Sequence, residues 1–165
     1  MKMHIFFSAV FLFVCGCGVY SFTGSSVPTH LKTIAIPLFD DQSGFGQPHL
    51  REQFTNKIIE KIVSDNSLLI AEKNSADATL EGTITKVVNE AAVVNPGEIV
   101  AQKKITITVT VSMFDKVMKK KMWEKSFSNW GNYDIGSGIP LMPNGIDVAL
   151  EKLTDDIVLA TISNW

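Results

Sequence analysis

Two hydrophobic periods organise the chain after an apolar start. From Leu31 to Phe39, the residues Ile34, Ile36 and Leu38 recur at every second position, the spacing of a strand with one buried face. Pro37 places this strand at a sheet edge or ends it there, because proline has no N–H for a ladder. Asp40-Asp41-Gln42-Ser43-Gly44 reads as a loop. Past Pro48, which suits a first helical position, Leu50, Phe54, Ile58 and Ile62 recur every four residues, with Ile59 and Val63 widening the stripe. Glu52, Lys57, Glu60 and Lys61 take the other side, which predicts an amphipathic helix ending near Asp65-Asn66.

Strand signals return at Leu68-Leu69-Ile70 and from Ala78 to Val88, where Leu80, Gly82, Ile84 and Val88 point one way. Asn95-Pro96-Gly97 marks a turn. Ile105 to Met113 then alternates strictly, with Thr and Ser on the polar side, so one sheet face is wet or meets a polar partner. Lys119-Lys120-Lys121 reads as a turn, and Met122 to Phe127 as the returning strand of an antiparallel hairpin. After a stretch containing Gly131, Gly136, Gly138, Pro140 and Pro143, Asn144 caps a last helix with Asp147 in its first turn. Ile146, Ala149, Leu150, Leu153, Ile157 and Ala160 form its apolar face. The order β-α-β-β-β-α predicts an α+β fold. It is a two-layer sandwich, with two helices packed on one face of a mostly antiparallel four-stranded mixed sheet.

Composition narrows the class. A chain of 165 residues fits one domain. With 15 basic against 17 acidic residues, its formal charge of −2 excludes a protein that grips nucleic acid through a basic field. No apolar run reaches the ~18 residues of a spanning helix. Two cysteines do not make a disulfide scaffold. Both lie at the edge of an N-terminal apolar block. Lys2, the apolar run from Ile5 to Cys15 broken only by Ser8, and small Gly16 describe a secretory signal peptide.

Val14-Cys15-Gly16-Cys17 further resembles a bacterial lipobox, in which a small residue admits the peptidase and the next cysteine receives diacylglycerol. Cys17 is the attachment residue on this reading, and Cys15 leaves with the signal. The chain divides into a signal peptide at 1–16, an acylated tether at 17–30 and a single domain at 31–165. Acyl chains contributing ~0.8 kcal/mol per buried CH₂ would hold it to a membrane surface, with no cofactor beyond that covalent lipid.

Signals for catalysis are absent, so the chain is read as non-enzymatic. His30 and His49 form no HExxH pair, and there is no GxSxG, P-loop or GxGxxG. Asp40-Asp41 and Asp155-Asp156 read as a solvated loop and an exposed helix turn, and no cluster has metal-ligand spacing. The charge feature with shape is Lys116, Lys119, Lys120, Lys121 and Lys125. Such a run is ordinarily a solvated turn that discourages edge pairing. It is also the candidate contact for lipopolysaccharide or another anionic lipid, where each lysine contributes ~1 kcal/mol near the surface. Trp123 and Trp130 beside it supply an amphipathic rim or belong to the core.

The segment Cys17-Gly18-Val19-Tyr20-Ser21-Phe22-Thr23-Gly24 resembles the mature start of LptE-like lipopolysaccharide-assembly lipoproteins of the Bacteroidota type. The resemblance continues through Lys32-Thr33-Ile34, Leu80-Glu81-Gly82-Thr83-Ile84, Ile105 to Val111, Ser126-Phe127-Ser128 and Tyr133-Asp134. It implies an outer-membrane lipoprotein on the periplasmic side that partners a large LptD-type β-barrel and helps deliver lipopolysaccharide to the outer leaflet. A periplasm-facing regulatory lipoprotein, such as an activator of a peptidoglycan synthase, is the alternative. Such a role calls for a long linker after Cys17, whereas the first strand here begins about a dozen residues on.

Overall fold

The structure is a computed structural model that describes residues 27–92, 102–135 and 141–163. The expected signal peptide, Cys17, the Asn95-Pro96-Gly97 turn and Gly136-Ser137-Gly138 lie outside them. Among the described residues the order is β1 (Thr33–Ala35), β2 (Asp40–Asp41), α1 (Leu50–Asp65), β3 (Leu69–Ile70), β4 (Ala78–Ala91), β5 (Gln102–Asp115), β6 (Lys120–Asp134) and α2 (Met142–Ser163). The sheet runs β3-β1-β4-β5-β6, with β2 also pairing β4. The pairs made by β1 and β2 are parallel, and the long β4-β5-β6 meander is antiparallel. The α+β class and the two helices are those expected. The sheet has six strands instead of four.

Of the two outcomes expected of Pro37, an edge position or the end of the strand, the structure has the second. β1 lies between β3 and β4, with both edges paired, so a proline cannot continue it and the strand stops at Ala35. It is an interior strand, not an edge. Beyond the proline the alternation fails: Leu38 is exposed and Phe39 is buried. The chain then returns to the sheet as β2, where Asp40 and Asp41 pair with Thr83 and Ile84 in place of the expected loop.

Helix α1 buries Leu50, Phe54, Ile58 and Ile62 as its spacing predicts. Val63 stays exposed, so the stripe is narrower than expected on that side. The helix begins at Leu50 instead of Pro48 and ends at Asn66, whose left-handed backbone directs its N–H to the Ile62 carbonyl at 3.1 Å. Helix α2 starts at Met142, which puts Asn144 inside the first turn. There the amides of Asn144 and Gly145 both reach the Leu141 carbonyl. Its apolar row packs with α1 against one sheet face in a single core containing Ile105, Ile107, Val109, Val111 and Met113 of β5.

Two irregularities set which side chains enter that core. In β4 the register slips between Ile84 and Lys86, so Val87 pairs with buried Ile107 and packs on the core, while Val88 pairs with Thr106. The expected placement of Val88 with Leu80 and Ile84 is therefore corrected. In β6 a second slip lies opposite Met113/Phe114 and turns Trp123 inward, 8% exposed. Trp130, 45% exposed, faces out with Lys152 Nζ 4.2 Å from its ring centroid. The two tryptophans divide between core and surface.

Candidate functional site

The lysines gather at one end of the meander, around the β5–β6 connection. The turn is Lys116–Lys119, not Lys119–Lys121, and Lys120 and Lys121 already belong to β6. A buried carboxylate explains the shift. Asp115, fully buried, accepts the Met118 amide at 2.8 Å through Oδ1, and this closes the turn one step before the lysine triplet. Lys119 completes it with a left-handed φ of 55°. On its other oxygen Asp115 accepts a hydrogen bond from His30 Nε2 at 2.7 Å.

The five candidate lysines separate into distinct settings. Lys116 Nζ donates to the Lys73 carbonyl, and Lys121 pairs with Glu124. Both line a depression of about 470 Å³ on the helix-free face of the sheet, floored by half-exposed Phe114 and joined by Lys73, which pairs with Glu81 at 2.9 Å. Lys125 lies on the opposite side, its Nζ 5.8 Å from the Trp123 ring centroid. Lys119 and Lys120 carry no ion pair among the described residues and stand exposed at the tip. Lys73 was not legible in sequence: the β3–β4 connection delivers it from 43 residues before Lys116.

The helix-free face is lined by hydroxyls. Thr83, Thr110 and Ser126 form one cross-strand row, and Thr108 pairs with Ser128 in the next, their hydroxyls 3.0 Å apart. This is the wet face that the Ile105–Met113 alternation predicts, and no element among the described residues covers it.

The other candidate groups have structural partners. Asp41 accepts from Ser43, and Asp40 from Gln42, in tight local turns. Asp155 pairs with Lys61, whereas Asp156 accepts from Asn129. No metal-holding group of His, Cys, Asp or Glu occurs among the described residues.

Asp77 and Asp115 are two carboxylates whose folded surroundings favour the charged form. The Lys32 amide, the Thr33 hydroxyl and the Thr33 amide all donate to Asp77 Oδ2 at 2.9–3.0 Å, holding its carboxyl below the ordinary 3.8. Burial pushes Asp115 up, but bonds from Met118, His30 and Val117 together hold it below the same value. Both groups therefore bind fewer protons folded than unfolded. Their stabilisation is present above about pH 4 and is lost as pH falls through the lowered folded values. The urea midpoint is expected to drop below that pH, and Asp77→Asn to flatten the drop. An unchanged acid limb in Asp77→Asn would show that its hydrogen bonds contribute nothing to the pH dependence.

A family model described as LptE, lipopolysaccharide-assembly, matches residues 31–160. Among solved structures, protein XCC0632 from Xanthomonas campestris superposes with a TM-score of 0.60 at 10% identity, covering 84% of this chain and 90% of that one. Hypothetical protein CT253 from Chlamydia trachomatis gives a TM-score of 0.58 at 12% identity, over 79% and 95%. Rare lipoprotein B from Shewanella oneidensis gives 0.52 at 11% identity, over 79% and 93%. At these identities the likeness is one of fold. A search of curated proteins finds no match. The family model takes in every strand and nearly all of the last helix, and the chain belongs to the LptE family of lipopolysaccharide-assembly proteins.

Proposed function

We propose that this protein is a non-enzymatic lipoprotein, acylated on Cys17 and held on the periplasmic side of the outer membrane. There it partners a large LptD-type β-barrel in assembling and delivering lipopolysaccharide to the outer leaflet. Family membership supports the lipopolysaccharide role. The observation that carries the partnership is the uncovered sheet face with its rows of Thr83, Thr110, Ser126, Thr108 and Ser128. A soluble two-layer domain leaves such a face to water, and the lumen of a large membrane barrel is polar as well. A face whose central rows are hydroxyls, with Lys86 beside Thr108 and half-exposed Phe114 toward the lysine end, can enter that lumen mainly through polar contacts.

Affinity capture of the acylated protein from solubilised outer membranes tests the reading. Co-purification of a large β-barrel is expected, and depletion of the protein is expected to leave lipopolysaccharide in the periplasm. Capture of a soluble synthase ectodomain, with normal surface lipopolysaccharide, would establish the regulatory alternative instead.

The lysine end supplies the contact with anionic lipid phosphates, those of lipopolysaccharide included. Changing Lys119, Lys120 and Lys121 together to Gln is expected to weaken lipopolysaccharide binding at least tenfold, from ~1 kcal/mol per lysine. Lys119 and Lys120 make no ion pair to lose, and the Lys121–Glu124 pair is exposed, so the melting temperature should stay within about 2 °C. Undiminished binding would return these residues to the role of a solvated strand start.

A further inference from the structure

We propose that the β5–β6 turn is a membrane-seating tip. Val117 and Met118, flanked by Lys116, Lys119 and Lys120, rest in the anionic phospholipid surface of the leaflet that holds the Cys17 lipid. The proposal rests on the reading of Cys17 as acylated, and it names which anionic lipid is the standing neighbour of the lysine end.

The tip is apolar where a purely solvated turn is polar. Val117 and Met118 are each 56% exposed. Turns facing only water draw on Gly, Asn, Asp and Ser, and a lone exposed apolar residue carries no message. Here two adjacent ones stand among cations, the combination used by segments that lie in a bilayer interface. The charge at the tip is also available. Lys121 is paired with Glu124 and Lys116 Nζ is held by the Lys73 carbonyl, but Lys119 and Lys120 have no ion pair among the described residues.

The described start of the chain lies at this same end. β1 pairs in parallel with the start of β4, and Ala78 of β4 stands opposite Asp115, so the chain entering β1 arrives beside the turn. His30 fixes that arrival. Its Nε2 donates to Asp115 Oδ2 at 2.7 Å, while Asp115 Oδ1 accepts the Met118 amide at 2.8 Å. One buried carboxylate therefore ties the incoming chain to the tip.

Reach completes the geometry. From Cys17 to Val27 the chain can span at most ~36 Å, whereas the 15 residues of β6 extend ~50 Å away from the turn. An anchor at Cys17 draws the turn, not the Asp134 end, toward the bilayer. The acyl chains sit among phospholipids, which are continuously present, while lipopolysaccharide only passes.

The test uses full-length acylated protein reconstituted in vesicles, with Val117→Cys labelled by a polarity-sensitive dye and Asn132→Cys as the far-end control. Acylation blocks Cys17, so each variant carries one reactive thiol. In vesicles of phosphatidylglycerol and phosphatidylcholine, the dye at position 117 is expected to shift to the blue and resist quenching by aqueous iodide. The dye at 132 should behave as in detergent. Adding Lys119→Gln and Lys120→Gln should weaken seating by about fivefold per lysine and return the position-117 dye to water. Vesicle flotation with a water-exposed dye at 117 would overturn the seating tip and leave anchoring intact. A position-117 dye that responds to added lipopolysaccharide but not to phosphatidylglycerol would overturn it in favour of lipopolysaccharide. Failure to float would overturn the acylation reading, and the proposal with it.

Discussion

Gly131→Ala is expected to lower the melting temperature by roughly 10 °C. Gly131 pairs with Ile105 in the β5–β6 ladder, directly beneath the first turn of α2. A Cβ there would stand 2.1 Å from the Gly145 carbonyl oxygen, 2.9 Å from its carbon and 3.0 Å from Val148 Cβ. Two of those three atoms are backbone, so no change of rotamer relieves the contact. The helix must lift, and it would carry Ile146, Ala149 and Leu150 away from the sheet. Overpacking of this kind costs ~1–3 kcal/mol, here toward the upper end.

Gly82→Ala provides the contrast. Its Cβ would meet Phe39 at 2.1 Å, but through side-chain ring atoms alone, with no backbone among the nearest atoms. Phe39 is 1% exposed and packs edge-on to Phe54 at 5.4 Å, so some cost remains, smaller than at Gly131. Thermal melts of the two variants decide the ranking. A Gly131→Ala melt within about 2 °C of the parent would show that the strand–helix contact is soft.

Cys17→Ala is expected to abolish flotation of the purified protein with neutral, barrel-free vesicles. One acyl chain gives only marginal binding and two or more give stable anchoring, so loss of the attachment atom acts as an all-or-none change. Radiolabelled fatty acid should enter the parent and Cys15→Ala equally, and Cys17→Ala not at all. Label retained in Cys17→Ala but lost in Cys15→Ala would move the anchor by two residues.

Much of the architecture could be read from spacing where a single face decides the pattern. The row Leu50, Phe54, Ile58, Ile62 and the alternation Ile105 to Met113 each bury one side and were placed correctly. Errors arose where a long-range partner overruled local preference. Asp40 and Asp41 have poor strand propensity, yet they become β2 because the chain leaving Pro37 meets the free edge of β4 at Thr83 and Ile84. Val88 was assigned inward because a bulge adds one residue without changing the apparent alternation, and the slip at Ile84/Lys86 reverses every later position.

The lysine turn shows the same limit. Lys119-Lys120-Lys121 resembles a turn by charge alone, but the turn closes where Asp115 can bind Met118, and that carboxylate is held by His30 from 85 residues away. The cluster itself was visible because its members are neighbours in sequence. Its split between two faces of β6, and the recruitment of Lys73, depended on register and topology.

The position of β1 also bears on when folding can finish. If the chain is exported N-terminus first, as a signal peptide at 1–16 would require, Thr33–Ala35 emerges early, but the two neighbours of this strand are Leu69–Ile70 and the start of β4. Until residue 70 has crossed, the first strand has no ladder to join, and its second ladder waits for residue 79; both need contacts more than 35 positions apart, the slow class of event in folding. The last meander strand and α2 emerge later still. The lipid would therefore fix the leading end to the bilayer before the sheet exists. During that interval the hydrophobic rows of α1 and β4 must stay unassembled at the membrane surface, which makes this the stage most exposed to misassociation and most in need of a holding factor.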